Sequence, residues 1–206
     1  MKLALIGASS TGKSTLSHQL AKELRLPLIR EQARVVLGEM GKTLKELRAR
    51  EEDILTFQYE VLKHQVSSEK ECAESGFVSD RSVFDNLILY LRHCPLSEDK
   101  VNRYFDFVME HYYNLPYDLL IFLRPGEFPV ENDGVRTPDE HYQHQIDGMI
   151  LCFLRLNSIP YKVVRGDIYQ RIRQVKAIIE EMNPGWLEEH LEKFNRAMSD
   201  TLGTNK

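Results

Sequence analysis

Short apolar runs alternate along this chain with longer segments whose apolar residues recur every three or four positions. Residues 2–6, 26–31, 76–80, 117–125 and 159–164 are each brief, rich in Leu, Ile, Val or Phe, and bounded by polar or turn residues, so each predicts a strand. The run at 117–125 is nearly continuous, as a strand covered on both faces must be. Helices are predicted between them. Residues 15–24 place Leu16, Leu20 and Leu24 on one stripe. Residues 43–75 contain neither Gly nor Pro and read as one helical stretch with a charged, solvated face, after a break marked by Gly38 and Gly41. Helices at 83–94 and 98–113 follow, the second capped by Ser97, with most of Tyr104, Phe105, Val108, Tyr112 and Tyr113 expected in the core, where an aromatic near the cleft could instead stack on a base. A further helix presents Tyr142, Ile146, Met149, Ile150 and Phe153, and another at 168–182 presents Ile172, Val175, Ile178 and Ile179 before Asn183-Pro184-Gly185 stops it. Alternation of this kind predicts an α/β fold, a mostly parallel sheet with helices on both faces.

At 206 residues the chain suits one domain, residues 1–183, followed by an amphipathic helix and tail at 184–206 that dock on the core or on a second subunit as a homodimer contact. The formal charge of −4 offers nucleic acid no global attraction. Cys72, Cys94 and Cys152 are widely spaced and odd in number, as ordinary thiols in a reducing compartment would be. No apolar stretch reaches membrane-spanning length and the first strand begins too early for a signal peptide, so no membrane partner and a cytoplasmic location are expected.

The chemistry concentrates where the first strand ends. Gly7-Ala8-Ser9-Ser10-Thr11-Gly12-Lys13-Ser14-Thr15 has the spacing G-x-x-x-x-G-K-[ST], the Walker A phosphate-binding loop, between a predicted strand and a predicted helix. Wrapping a polyphosphate needs several inward-pointing backbone N–H groups, hence glycine at 7 and 12 and small residues between them. Lys13 supplies a point charge for the β- and γ-phosphates, Ser14 a hydroxyl for Mg²⁺, and the helix N-terminus a positive dipole. ATP and Mg²⁺ are the expected cofactors. Glu31 ends the second strand, where a carboxylate can meet a substrate hydroxyl; it can equally pair with Arg30 or Arg34. Asp80 ends the third strand as a Walker-B-like acid that binds Mg²⁺ through water or takes the nucleophile's proton, or caps the next helix instead. Arg81 follows with a planar guanidinium suited to phosphate oxygens. His141, His144 and Asp147 share a helix spacing but lack a fourth ligand, so no structural zinc is expected.

Asp80-Arg81-Ser82, continued by Val83-Phe84-Asp85-Asn86-Leu87, together with the loop and Glu31-Gln32-Ala33-Arg34, resembles the P-loop small-molecule kinases related to the ribosylnicotinamide kinase domain of the bacterial NAD regulator. It is similar, more distantly, to deoxynucleoside kinases. The resemblance implies the P-loop NTPase three-layer fold with strand order 2-3-1-4-5, and Glu31 as general base with Arg81 beside the phosphates. It also implies a lid at about 125–139 bringing Arg136 to the γ-phosphate, Arg124 at the lid's near end, and Arg165 and Asp167 bordering the adenine. The expected activity is transfer of the ATP γ-phosphoryl to a hydroxyl of a nucleoside- or nucleotide-like small molecule. Two alternatives stand beside it: a nucleotide-dependent switch, against which the absence of an N-K-x-D motif counts for GTP, and a kinase of nucleic-acid ends, for which no basic tract is visible.

Overall fold

The computed structural model describes residues 1–95, 97–127 and 139–203, those from 200 onward by backbone alone. The elements run β1 (Lys2–Ile6), α1 (Lys13–Leu24), β2 (Leu28–Ile29), α2 (Gln32–Met40), α3 (Leu44–Arg48), α4 (Glu51–Glu71), β3 (Phe77–Asp80), α5 (Val83–His93), α6 (Glu98–Asn114), β4 (Leu119–Phe122), α7 (Glu140–Leu156), β5 (Lys162–Val163), α8 (Ile168–Met182) and α9 (Trp186–Gly203). The five strands form one parallel sheet in the order β2-β3-β1-β4-β5, the order expected of a P-loop NTPase fold.

Side chains of successive strand residues leave the sheet on opposite faces, and this divides the core in two. Ala4 and Ile6 of β1, Phe77 of β3, and Leu120 and Phe122 of β4 face a large cluster covered by α2 to α7. Leu3 and Leu5, Val78, and Leu119 and Ile121 face a smaller one covered by α1 and α8. Trp186 and Leu187 at the start of α9 pack against this smaller cluster, and the Arg25 guanidinium lies 5.7 Å from the Phe194 ring centroid.

Local differences from the sequence reading have identifiable causes. The stretch 43–75 is two helices, not one: Thr43 and Glu46 make a reciprocal capping box that opens the short α3, which ends at Ala49, and Arg50 is extended before α4 starts. α2 runs through Gly38 and ends at Gly41, which takes the left-handed conformation. The ladders of β2 and β5 hold two residues each, against the six of each predicted run, because an edge strand is bonded on one side only and the chain leaves the sheet as soon as that side ends. β4 is likewise shorter than its apolar run, since Leu123 continues buried beyond the ladder. Of the residues expected in the core along α6, Tyr113 at its C-terminal end is 72% exposed.

The apolar face of α4 also carries Gln58, Gln65 and Glu69, all buried, so the Glu69 charge is not on the solvated face expected for it. Glu69 accepts from Gln65 Nε2 at 2.7 Å and from Tyr117 O–H at 2.8 Å, and its other oxygen lies 2.7 Å from His111 Nε2. Gln65 Nε2 also reaches Ser79 Oγ at 2.9 Å, and the Val83 N–H donates to Tyr117 Oη at 2.9 Å. A buried polar group is tolerated only when paired in this way, and here the pairing braces the turn that carries Asp80 and Arg81.

Candidate active site

The loop after β1 needs its glycines. A Cβ on Gly7 would collide with the Leu123 carbonyl oxygen of the neighbouring strand, and Gly12 takes φ 85° as the N-cap of α1. Gly12 offers no capping side chain, so the first N–H groups of α1 remain available to an anion. Lys13 is buried and folds back on its own loop, donating to the Ala8 carbonyl and, at 3.4 Å, to Thr11 Oγ1. Burial, then repulsion from Arg81, lowers its pKa to about 7 despite the pull of Asp85, Asp80 and Glu31. Ser14 and Thr15 are exposed at the mouth.

Glu31 sits where β2 turns into α2, and is buried. Its carboxylate accepts from Arg34 Nε at 3.1 Å and from Arg81 Nε at 2.8 Å, so the ion pair and the site position coincide. Arg81 is a non-glycine residue at φ 124°, a strained conformation that costs about 1–3 kcal/mol where the surroundings impose it. It also donates to Asp85 Oδ1 at 3.2 Å. Burial opposes the Arg81 charge, but Glu31, Asp85 and Asp80 outweigh it and hold the guanidinium firmly protonated. Asp85 closes the capping box of α5 with Ser82 and accepts from the Gly7 N–H at 3.3 Å, tying α5 to the loop. Burial raises its pKa against the pull of Arg81 and Lys13. Ser82, not Asp80, is therefore the cap of α5. The Asp80 carboxylate makes no hydrogen bond or ion pair among the described residues, and it shares a groove with Ser14, Ser17, His18, Arg30, Glu31 and Arg34.

A second pocket opens from Ala8 and Ser9 of the loop. Ala33, Leu37, Leu44, Phe57, Val61, Leu89 and Ile146 form its apolar walls; Arg34, Gln58, Arg81, Asn86, His93 and Tyr142 supply polar groups. Asn86 is 2% exposed and its Nδ2 has no hydrogen-bond acceptor among the described residues. A buried amide left in that state calls for a ligand or a water.

The remaining expected site residues are placed less centrally. Arg124 forms a fork with the buried Asp147 of α7, with contacts of 2.6 to 2.9 Å, which accounts for Asp147. Asp167 caps α8 in a box with Gln170, and Arg165 is exposed beside it. Arg136 lies outside the described residues, as do residues 128–138 of the expected lid.

Several residues that converge here were not legible as site residues. Gln143 donates to the Ser9 carbonyl at 2.7 Å and Arg171 to the Thr11 carbonyl at 2.7 Å. Both carried a signal in the sequence. Arg171 heads the buried stripe of Val175 and Ile179, and Gln143 stands one turn before Ile146 and Ile150; a polar residue on an apolar stripe has a partner to find. Gln58 likewise lies on the stripe of Ile54, Val61 and Leu62.

A family model described as an AAA domain matches residues 2–171. No curated protein matches the sequence. Among solved structures, deoxyadenosine kinase from M. mycoides, with products dCMP and dCDP bound, is 20% identical with a TM-score of 0.63, covering 88% of this chain and 100% of that one. NadR in complex with NAD and AMP-PNP is 14% identical with a TM-score of 0.67, covering 89% of this chain and 49% of that one. NadR in complex with NR is 13% identical with a TM-score of 0.67, covering 87% of this chain and 50% of that one. The chain thus spans about half the length of NadR. At these identities the likeness establishes the fold.

Proposed function

Because this chain belongs to the AAA-domain family and carries a complete phosphate-binding loop, we propose that it transfers the γ-phosphoryl of ATP to a hydroxyl of a nucleoside- or nucleotide-like small molecule. The observation that carries this reading is the pocket ending on Ala8 and Ser9, with apolar walls, the unpartnered Asn86 amide and the Gln58 carboxamide. That combination suits a flat, partly polar ring system held with its sugar toward the loop. Deoxyadenosine kinase and NadR, whose structures hold nucleotides and NR, support the choice of acceptor class.

In the proposed reaction the acceptor oxygen attacks the γ-phosphorus, the bond to the β–γ bridging oxygen breaks, and ADP leaves. Glu31 takes the acceptor proton, oriented by Arg34 and Arg81. Lys13 exchanges the Ala8 carbonyl for phosphate oxygens, and Arg81 offers its guanidinium to the charge that spreads over the transferred group. Ser14 and Asp80, a hydroxyl and an otherwise unengaged carboxylate on one groove, fit Mg²⁺, which takes oxygen donors and keeps several waters. Bound there with ATP, Mg²⁺ would neutralise phosphate charge. No cluster of three or more His, Cys, Asp or Glu side chains suited to a metal occurs among the described residues, in keeping with an ion held chiefly by its nucleotide. Arg136 is proposed as the lid arginine on the family resemblance alone.

The test is ATP consumption with Mg²⁺ across nucleosides, nucleoside monophosphates, nicotinamide riboside and oligonucleotide ends, with Glu31→Gln beside the wild type. One small acceptor should stimulate turnover strongly, and the variant should lose roughly 10²–10⁴-fold in rate while still binding ATP. Tight ATP binding without any stimulating acceptor would replace the kinase by a nucleotide-dependent switch.

A further inference from the structure

We propose that Arg171 and Gln143 are positioning residues of the phosphate-binding loop, which hold two of its carbonyls from outside so that the intervening amides face the nucleotide before it arrives. The inference rests on the nucleotide-binding part of the reading above and is independent of the acceptor.

The argument starts from the peptide plane. A trans peptide points its C=O and its N–H in opposite directions, so fixing one fixes the other. Gln143 Nε2 holds the Ser9 carbonyl at 2.7 Å, which turns the Ser10 N–H away from α7. Arg171 Nη1 holds the Thr11 carbonyl at 2.7 Å, which turns the Gly12 N–H away from α8. Ser10 and Gly12 have φ of 56° and 85°, the alternating backbone in which successive N–H groups converge on an anion. Neither gripping side chain has solvent freedom: Gln143 is 3% exposed and Arg171 is 1% exposed. Arg171 is itself immobilised, donating through Nε to the Gly166 carbonyl at 2.9 Å and through Nη2 to Glu127 at 2.8 Å. Glu127 also accepts from the Gly166 N–H at 2.6 Å. A loop held at two carbonyls loses less conformational freedom on binding than one left to find its shape.

Affinities of wild type, Gln143→Met and Arg171→Lys for ATP, ADP and AMP with Mg²⁺, measured by titration calorimetry below the melting temperature of each protein, test this. Gln143→Met conserves volume and removes the donor. It should weaken ATP and ADP by roughly tenfold, the value of one net hydrogen bond, and AMP by much less, since AMP lacks the β-phosphate on which the amides converge. Arg171→Lys, which keeps the charge but cannot serve three acceptors in one plane, should show the same selectivity. Unchanged ATP affinity in a folded Gln143→Met protein, or equal loss for all three nucleotides, overturns the proposal. If Arg171→Lys does not fold, Gln143→Met decides alone. A wild type without affinity for ATP would instead remove the nucleotide-binding reading, so the two failures are told apart.

Discussion

Lys13 stands between opposing demands. Burial and Arg81 bring its pKa from 10.5 to about 7 in the folded, nucleotide-free protein. Between those values the unfolded chain binds the extra proton, so stability from this group rises with pH from about 7 to 10.5 and is lowest below 7. Lys13→Met removes the penalty. In chelator and without nucleotide, its melting temperature at pH 6–7 should exceed that of the wild type, and the gap should close as pH rises; a variant that melts lower throughout would refute the assignment. Asp85 supports a different expectation. It is 1% exposed and serves Arg81, Ser82 and Gly7 together. Asp85→Ala should cost about 1–3 kcal/mol in urea denaturation, because the Gly7 and Ser82 N–H groups lose their acceptor while Arg81 keeps Glu31, whereas Asp85→Asn, which keeps an acceptor oxygen for Ser82, should cost less.

Between elements, the decisive contact is the polar seam joining α4 to β3, α6 and the start of β4. Glu69 is fully buried with Gln65, Tyr117 and His111 around it. Glu69→Leu leaves three buried partners short of an acceptor and should lower stability by about 3–5 kcal/mol, while Tyr117→Phe, which removes one hydroxyl, should cost about 1–3 kcal/mol. Equal losses in the two variants would show that the seam is not centred on Glu69. The seam was half legible in the sequence. Gln65 and Glu69 continue the stripe of Ile54, Val61 and Leu62, which signals a need for partners, but only the arrival of Ser79 and Tyr117, 14 and 48 residues away, shows which partners they find. The break between α3 and α4 was hidden as well: no glycine or proline marks it, and it consists of the extended backbone at Arg50. Where chemistry is local, the reading held better. The strand, loop and helix around Lys13 follow from consecutive residues, as does the cap at Ser97, whereas the cap of α5 fell on Ser82 rather than Asp80.

At the scale of the whole molecule, the loop, Glu31 and Arg81 lie where β1, β2 and β3 end, and the pocket that opens from Ala8 and Ser9 spreads from there under α2, α4, α5 and α7. Strand order was legible because the resemblance implied it; the meeting of Gln143 and Arg171 at the loop was not, since each acts over more than 130 residues of sequence. Mg²⁺ with ATP should stabilise the fold by a free energy that grows with nucleotide concentration and reaches about 2.7 kcal/mol at a hundredfold excess over Kd, and so raise the melting temperature; scanning calorimetry over a nucleotide series would measure the rise, and a concentration-independent shift would count against binding to the native state. The two gripping helices belong to opposite layers: α7 contributes Ile146 and Ile150 to the larger cluster, and α8 contributes Val175 and Ile179 to the smaller. A chain that has melted in either layer alone has therefore already released one side of its phosphate grip. Bound nucleotide would then act as a mortise between two layers that meet at the sheet and the loop, so unfolding with ATP should be more nearly all-or-none than unfolding without it, and partly opened forms should be the first to disappear when the ligand is added.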